Sequence, residues 1–168
     1  MSGEVSSTSP VLGTRFATGA RQHLRILRDY KRIAMVGLSA NPYRPSHFAA
    51  LYMRAAGYEI FAVNPRESQI LGRPCYASLA DVPPPLEIVD IFRESSAVPA
   101  IVEEAIACHA KVVWMQLGVI HEGAAARALE AGLEVVMDRC VKIEHARFFG
   151  GLSTLGLNAG VLSSRKRN

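Results

Sequence analysis

The chain has 168 residues, enough for one ordinary domain with extensions and too few for a barrel of eight strand-helix units. Hydrophobic residues make up 49% and charged residues 20%, which supplies a core and excludes a mainly disordered chain. The formal net charge is +4, but residues 1–32 hold six bases against two acids, residues 163–168 hold three bases, and residues 33–162 hold ten bases against thirteen acids. The surplus sits at the two ends, so the slightly acidic body argues against nucleic acid as a partner.

Residues 1–18 read as a flexible lead, rich in Ser, Thr and Gly and without the apolar run of a signal peptide. From about Arg21 to Tyr30, Leu24, Ile26 and Leu27 among bases predict a helix that packs on the body along one side. Ile33–Val36 then opens a series of short, continuously apolar segments, followed by Tyr58–Val63, Ile88–Phe92, Val112–Met115 and Val135–Met137. Continuous apolarity suits strands covered on both faces, as in a parallel sheet. The runs begin near residues 33, 58, 87, 111 and 133, a spacing that fits crossover helices and is far too long for hairpins.

The intervening segments agree. Ser46–Ala56 carries Phe48, Leu51, Tyr52 and Ala55 at helical spacing and stops at Gly57. Val98–Ala110 has Pro99 in its first turn, where a missing N–H costs little, and Glu122–Ala131 is an Ala-rich helix ended by Gly132. Gly72–Pro85, with prolines at 74, 83, 84 and 85, is expected to be an irregular connection. Five strand-helix units predict an α/β fold, a doubly wound parallel five-stranded sheet with helices on both faces, over about residues 19–149. The Gly-rich tail at 150–168, basic at its end, either drapes over this body or pairs with another copy of the chain.

Cys75, Cys108 and Cys140 form no CxxC pair, so a reduced cytoplasmic protein is expected. No stretch approaches the roughly 18 apolar residues of a membrane span, so no membrane partner is expected.

In such sheets ligands bind at the carboxyl ends of the strands, at the switch in winding direction. The first strand runs into MVGLSANPYRPS, residues 35–46. Gly37 serves a tight turn, Ser39 and Asn41 offer short polar side chains, Ser46 is placed to cap the next helix, and Arg44 adds a full charge for a phosphate. This is not a GxGxxG loop, because the next glycine is Gly57. The second strand ends in Asn64, Pro65 and Arg66, where an NAD-binding domain would place an acid for the ribose diol. An Arg favours an extra ribose phosphate, which admits NADP or coenzyme A. Phe92 and Arg93 follow the third strand, Gln116 and Gly118 the fourth, and Asp138, Arg139 and Cys140 the fifth.

Read in order, VGLSANPYRPS, YEIFAVNPR, VDIFR, VVWMQLG and the DRC block running to Glu144 and His145 resemble the stand-alone CoA-binding domain family. That family shares the Rossmann-like fold of the CoA-binding domain of the succinyl-CoA synthetase alpha subunit. The resemblance covers about residues 30–147 and implies coenzyme A as the cofactor. It implies that Gly37, Ser39, Ala40, Asn41, Arg44 and Ser46 belong to the pyrophosphate turn. It sets Asn64, Pro65 and Arg66 at the 3′-phosphate end, Phe92 and Arg93 beside the adenosine, and Gln116, Leu117 and Gly118 along the pantetheine. The chain ends soon after the fifth strand, without the synthetase's second domain and its phosphorylated histidine. The expectation is a carrier, sensor or accessory protein that binds coenzyme A or an acyl-CoA; the alternative is an NADP-dependent oxidoreductase or NADP-binding regulatory protein.

Plainer roles stand beside these. Arg93 has Glu94 and Asp90 as surface ion-pair candidates, and Trp114 and Met115 fit the core pattern. Cys140, at the ligand edge, is either an inert thiol or one that a CoA thiol reaches to form a mixed disulfide under oxidation. His121 beside Glu122, and Cys140 before His145, lack supporting pairs at metal-ligand spacing, so no metal is expected. No Ser-His-Asp order or carboxylate pair can be assigned to a pocket, so no catalytic residue is named.

Overall fold

The computed structural model describes residues 19–150; the expected lead at 1–18 and the tail from 151 onward lie outside them. After α1 (Ala20–Asp29) come β1 (Arg32–Val36), α2 (Pro45–Ala55), β2 (Glu59–Val63), β3 (Gln69–Ile70) and β4 (Arg73–Tyr76). The chain continues through β5 (Ile88–Ile91), α3 (Val98–Ala107), β6 (Val112–Met115), α4 (Glu122–Glu130), β7 (Glu134–Val136) and α5 (Val141–Phe149). The strands form one sheet in the order β3-β4-β2-β1-β5-β6-β7, parallel throughout except for the antiparallel pair β3 and β4.

The five expected strands and four expected helices are present, with no end shifted by more than three residues and Val112–Met115 matched at both ends. The expected strand count was short by two. The stretch expected to be irregular, Gly72–Pro85, contains β4, which pairs back on β3 just before it, and a 3-10 turn at Leu79–Asp81 held by mutual capping between Ser78 and Asp81. Proline is tolerated in β4 because this short strand lies near the sheet margin.

Alternation along the strands builds two cores. Ala34, Val36, Val89, Ile91 and Val113 face one side, which α3 and α4 cover with Val102, Ala105 and Ala128. Ile33, Met35, Ile88, Trp114 and Val136 face the other, under Ile26 and Leu27 of α1, Ala50 and Met53 of α2, and Val141 of α5. Fully burying each large apolar side chain stabilises the fold by about 1.5–3 kcal/mol. Because α2 returns on one face and α3 on the other, the chain leaves β1 and β5 in opposite directions. The neighbouring strands β1 and β5 are therefore the switch point, and the loops after them part to leave a cleft.

Helix α5 was not foreseen. Its buried face consists of Val141, Glu144 and His145, so charge interrupts the apolar period. His23 Nδ1 lies 2.9 Å from Glu144 Oε2, and Arg147 pairs with the same oxygen at 2.6 Å. His145 Nδ1 lies 3.1 Å from the Tyr52 hydroxyl, and its ring meets Tyr52 and Tyr58 edge-on. Burial, with Lys31 nearby, holds His145 below the usual imidazole range. The same network corrects the reading of α1, where His23 rather than Leu24 is buried beside Ile26 and Leu27, its ring 5.7 Å from that of Trp114.

Candidate functional site

A cleft of about 1100 Å³ crosses the carboxyl ends of β4, β2, β1, β5 and β6 and reaches the start of α5. Its centre is the turn after β1. Gly37 adopts φ +86°, and its N–H donates to the Val63 carbonyl at 2.9 Å, which ties the turn to β2. Arg93 lies so close over this turn that a Cβ on Gly37 would stand 2.7 Å from Arg93 Cδ.

Beyond Gly37 the turn is held by its own polar groups. Ser46 Oγ accepts the Ser39 N–H at 3.1 Å, Ser39 Oγ accepts the Asn41 N–H at 3.1 Å, and Asn41 Oδ1 accepts the Tyr43 N–H at 2.9 Å. Ser46 therefore does not cap α2 as expected. Arg44 is the N-cap residue, without a side-chain cap bond, and Pro45 opens the helix. Ser46 is spent on the loop because Pro45 shifts the helix start upstream of it. The uncapped end of α2 points its positive dipole end toward the cleft, with Arg44 on the lining.

At the β2 end, Asn64 Nδ2 donates to the Leu38 carbonyl at 3.1 Å and Asn64 Oδ1 accepts the Arg66 N–H at 3.0 Å. Asn64 thus fastens one loop to the other, while Arg66 is exposed on the cleft wall without an acidic partner among the described residues. Arg93 pairs with Glu94 at 3.0 Å, as the plainer reading expected. Asp90 is not at the surface: it is fully buried in β5, because its position alternates with those that face α3.

Asp90 supports the far end instead. Its Oδ1 accepts Gln116 Nε2 at 2.5 Å, and Gln116 Oε1 accepts the Val141 N–H at 3.4 Å. One amide, itself 4% exposed, thus joins β5, β6 and the first turn of α5. Asp90 Oδ2 has no partner. Burial, opposed in part by the Gln116 bond, pushes the Asp90 carboxyl up to about 8, so at neutral pH it is mainly protonated. Trp114 and Met115 are fully buried, as the core pattern expected.

Of the expected site residues, Gly37, Ser39, Arg44, Ser46, Asn64, Pro65, Arg66, Phe92, Arg93, Gln116, Leu117 and Cys140 line this one cleft. Ala40, Asn41 and Gly118 lie off the lining; Asn41 shapes the turn, and the Gly118 N–H donates to Asp138 Oδ1 at 2.7 Å. Sequence reasoning missed the wall that α3 supplies with Ala100, Ile101 and Glu104, and the rim that α5 supplies with Lys142 and Ile143. The first arises from packing between distant segments, the second from a helix with no clear apolar period. His121 caps α4, its Nδ1 accepting the Ala124 N–H at 3.0 Å. Among the described residues no helix is long and apolar enough to cross a membrane.

Comparison with known proteins adds to this geometry. An uncharacterized protein, YneT, of Bacillus subtilis strain 168 is 43% identical over 121 residues, 72% of this chain and 90% of that one. The structure of a hypothetical protein from Pyrococcus horikoshii OT3 is 38% identical with TM-score 0.77, covering 87% of this chain and 100% of that chain. The ADP-forming acetate–CoA ligase I of Archaeoglobus fulgidus is 31% identical over 74 residues, 44% of this chain and 11% of the ligase. The family described as CoA binding domain matches residues 31–146. With all the strand ends that frame the cleft inside the matched span, this chain belongs to the CoA-binding domain family.

Proposed function

We propose that the cleft binds coenzyme A or an acyl-CoA, and that the protein acts as a carrier, sensor or accessory component rather than as a complete enzyme. One observation carries the reading. Arg44 and Arg66 line a cleft at the switch point beside an uncapped helix start, and neither has an acidic partner among the described residues. Cations left unpaired around a concave site match a ligand with separate phosphate groups. Lys142, on the same lining, likewise has no acidic partner among the described residues.

In this reading the pyrophosphate rests on the Gly37–Ser46 turn with Arg44, and Arg66 takes the 3′-phosphate. Phe92 and Arg93 flank the adenosine, with Arg93 exchanging Glu94 for phosphate. The pantetheine passes Gln116 and Leu117 toward Cys140, where coenzyme A supplies its thiol or thioester. The residues of this chain bind and orient the cofactor. Cys140 makes no hydrogen bond to a base among the described residues, which favours a holding role.

A thermal-shift panel with CoA, acetyl-CoA, NADP, NAD and ATP tests this. Ligand at 100 times Kd stabilises by about 2.7 kcal/mol, a rise of about 5–10 °C for a chain of this size. CoA and acetyl-CoA should give that rise, and Arg66→Ala should remove most of it. A shift with NADP alone refutes the reading.

A further inference from the structure

Three large apolar side chains on the cleft wall stand half out in water. Phe48, on the first turn of α2, is 54% exposed, Leu117, just after β6, is 52% exposed, and Ile143, on the first turn of α5, is 40% exposed; all three line the cleft. Two contacts tie their elements together. The Tyr52 hydroxyl, one turn further along α2 than Phe48, lies 3.1 Å from His145 Nδ1 on α5, and Gln116, beside Leu117, accepts the Val141 N–H at 3.4 Å. Cys140, the N-cap residue of α5, is on the same lining, three residues before Ile143. Among the described residues, the lining that α2, α5 and the loop after β6 contribute holds no acidic side chain.

One apolar side chain at a surface is ordinary, but three on the wall of one concave site call for an apolar partner. With the cleft read as a coenzyme A site, the thiol arrives beside Cys140, and whatever the thiol carries extends over this wall. Resting on that reading, we propose that Phe48, Leu117 and Ile143 seat the acyl chain of a bound acyl-CoA. The ligand class is then thioesters of uncharged hydrocarbon acids of several carbons, and free coenzyme A leaves the seat bare. A methylene fully withdrawn from water gains about fourfold in affinity, and one laid on a wall open on its other side about twofold. A carboxylated acyl group would find Lys142 as the only cation that α5 adds to the lining. An exposed ion pair is worth about fivefold at most, less than several methylenes together.

Calorimetric titration of the full chain with coenzyme A and its acetyl, butanoyl, octanoyl and succinyl thioesters tests this, in the wild type and in the double variant Phe48→Ala, Ile143→Ala. Affinity should climb from acetyl-CoA to octanoyl-CoA by roughly 10-fold or more, and butanoyl-CoA should bind more tightly than succinyl-CoA, which has the same number of acyl carbons. The double variant should lose most of that climb. The climb is a ratio taken within each protein, so a general weakening of coenzyme A binding does not imitate its loss. Leu117→Ala, in a loop, gives the same readout should the helical pair of substitutions lower the melting temperature. If coenzyme A binds but affinity does not rise with chain length, the acyl seat is overturned and the cofactor reading stands. The same holds if succinyl-CoA matches butanoyl-CoA, or if the variants keep the full climb. If neither coenzyme A nor any thioester binds, both are overturned.

Discussion

Gly37→Ala perturbs the point where two loops of the cleft touch. Two costs combine. At φ +86° an L side chain sits in the left-handed region, at roughly 1–2 kcal/mol. The new Cβ would also stand 2.7 Å from Arg93 Cδ, 3.0 Å from the Phe92 carbonyl oxygen and 3.2 Å from Arg93 Cγ. The side chain can swing away at about 0.5–1.5 kcal/mol for an off-rotamer torsion, but the carbonyl belongs to the backbone that leaves β5 and must shift with it. Gly57→Ala separates the two costs, since Gly57 has φ +93° and nothing within 4 Å of the added Cβ. Both variants regain about 0.4–1 kcal/mol from the stiffer unfolded chain. The expected net losses are therefore about 1 kcal/mol for Gly57→Ala and about 2–3 kcal/mol for Gly37→Ala. With about 2–4 °C per kcal/mol, calorimetry should place Gly37→Ala several degrees below Gly57→Ala. Adding Arg93→Ala to Gly37→Ala should recover only part of the gap, because the carbonyl remains. If Gly37→Ala melts no lower than Gly57→Ala, the close approach is not a constraint and the argument fails.

The buried carboxyl of Asp90 should tilt the pH profile. Its folded value of about 8 stands above its ordinary 3.8, so the folded state keeps a proton that the unfolded state has lost. Its contribution is complete below about pH 4, declines as pH rises, and is gone above about pH 8. Asp90→Asn keeps the acceptor for Gln116 without the charge, so its melting temperature should gain on the wild type between pH 5 and 8; parallel curves would refute this. Glu144→Gln leaves His23 and Arg147 without their shared carboxylate and should cost about 3 kcal/mol or more in urea unfolding. Arg127→Ala, which breaks an exposed pair with Glu103, should cost less than about 1 kcal/mol. Equal losses would mean that the burial of Glu144 carries no weight.

The parts of the fold legible in the sequence are those where one physical rule acts alone. Strands covered on both faces must be continuously apolar, so β1, β2, β5, β6 and β7 stand out at crossover spacing. The loops after them follow directly, which is why Arg44, Asn64, Arg66 and Gln116 stand out in the sequence. Competing rules hid the rest. Glu144 and His145 occupy the inward face of α5 because His23, Arg147 and Tyr52 satisfy them there, and such long-range satisfaction leaves no periodic trace. Strand β3 is two residues long, below the length at which alternation can be read. Asp90 looked like a surface acid because its partner Gln116 is 26 residues away. The α3 wall with Glu104 escaped notice for the same reason, since it reaches the cleft through the Leu79 N–H, 25 residues upstream.

Helix α5 has a consequence for how the protein is made. It is the last described element to leave the ribosome, yet it lies between α1 and α2 over Trp114 and Val136 and supplies the Val141 N–H that completes the hold on Gln116. A nascent chain stalled before residue 141 would own every parallel strand and still lack one rim of its cleft, with an oily sheet face partly bare. Capture of the proposed cofactor would then come only after α5 has been made, and binding would report that this helix is in place.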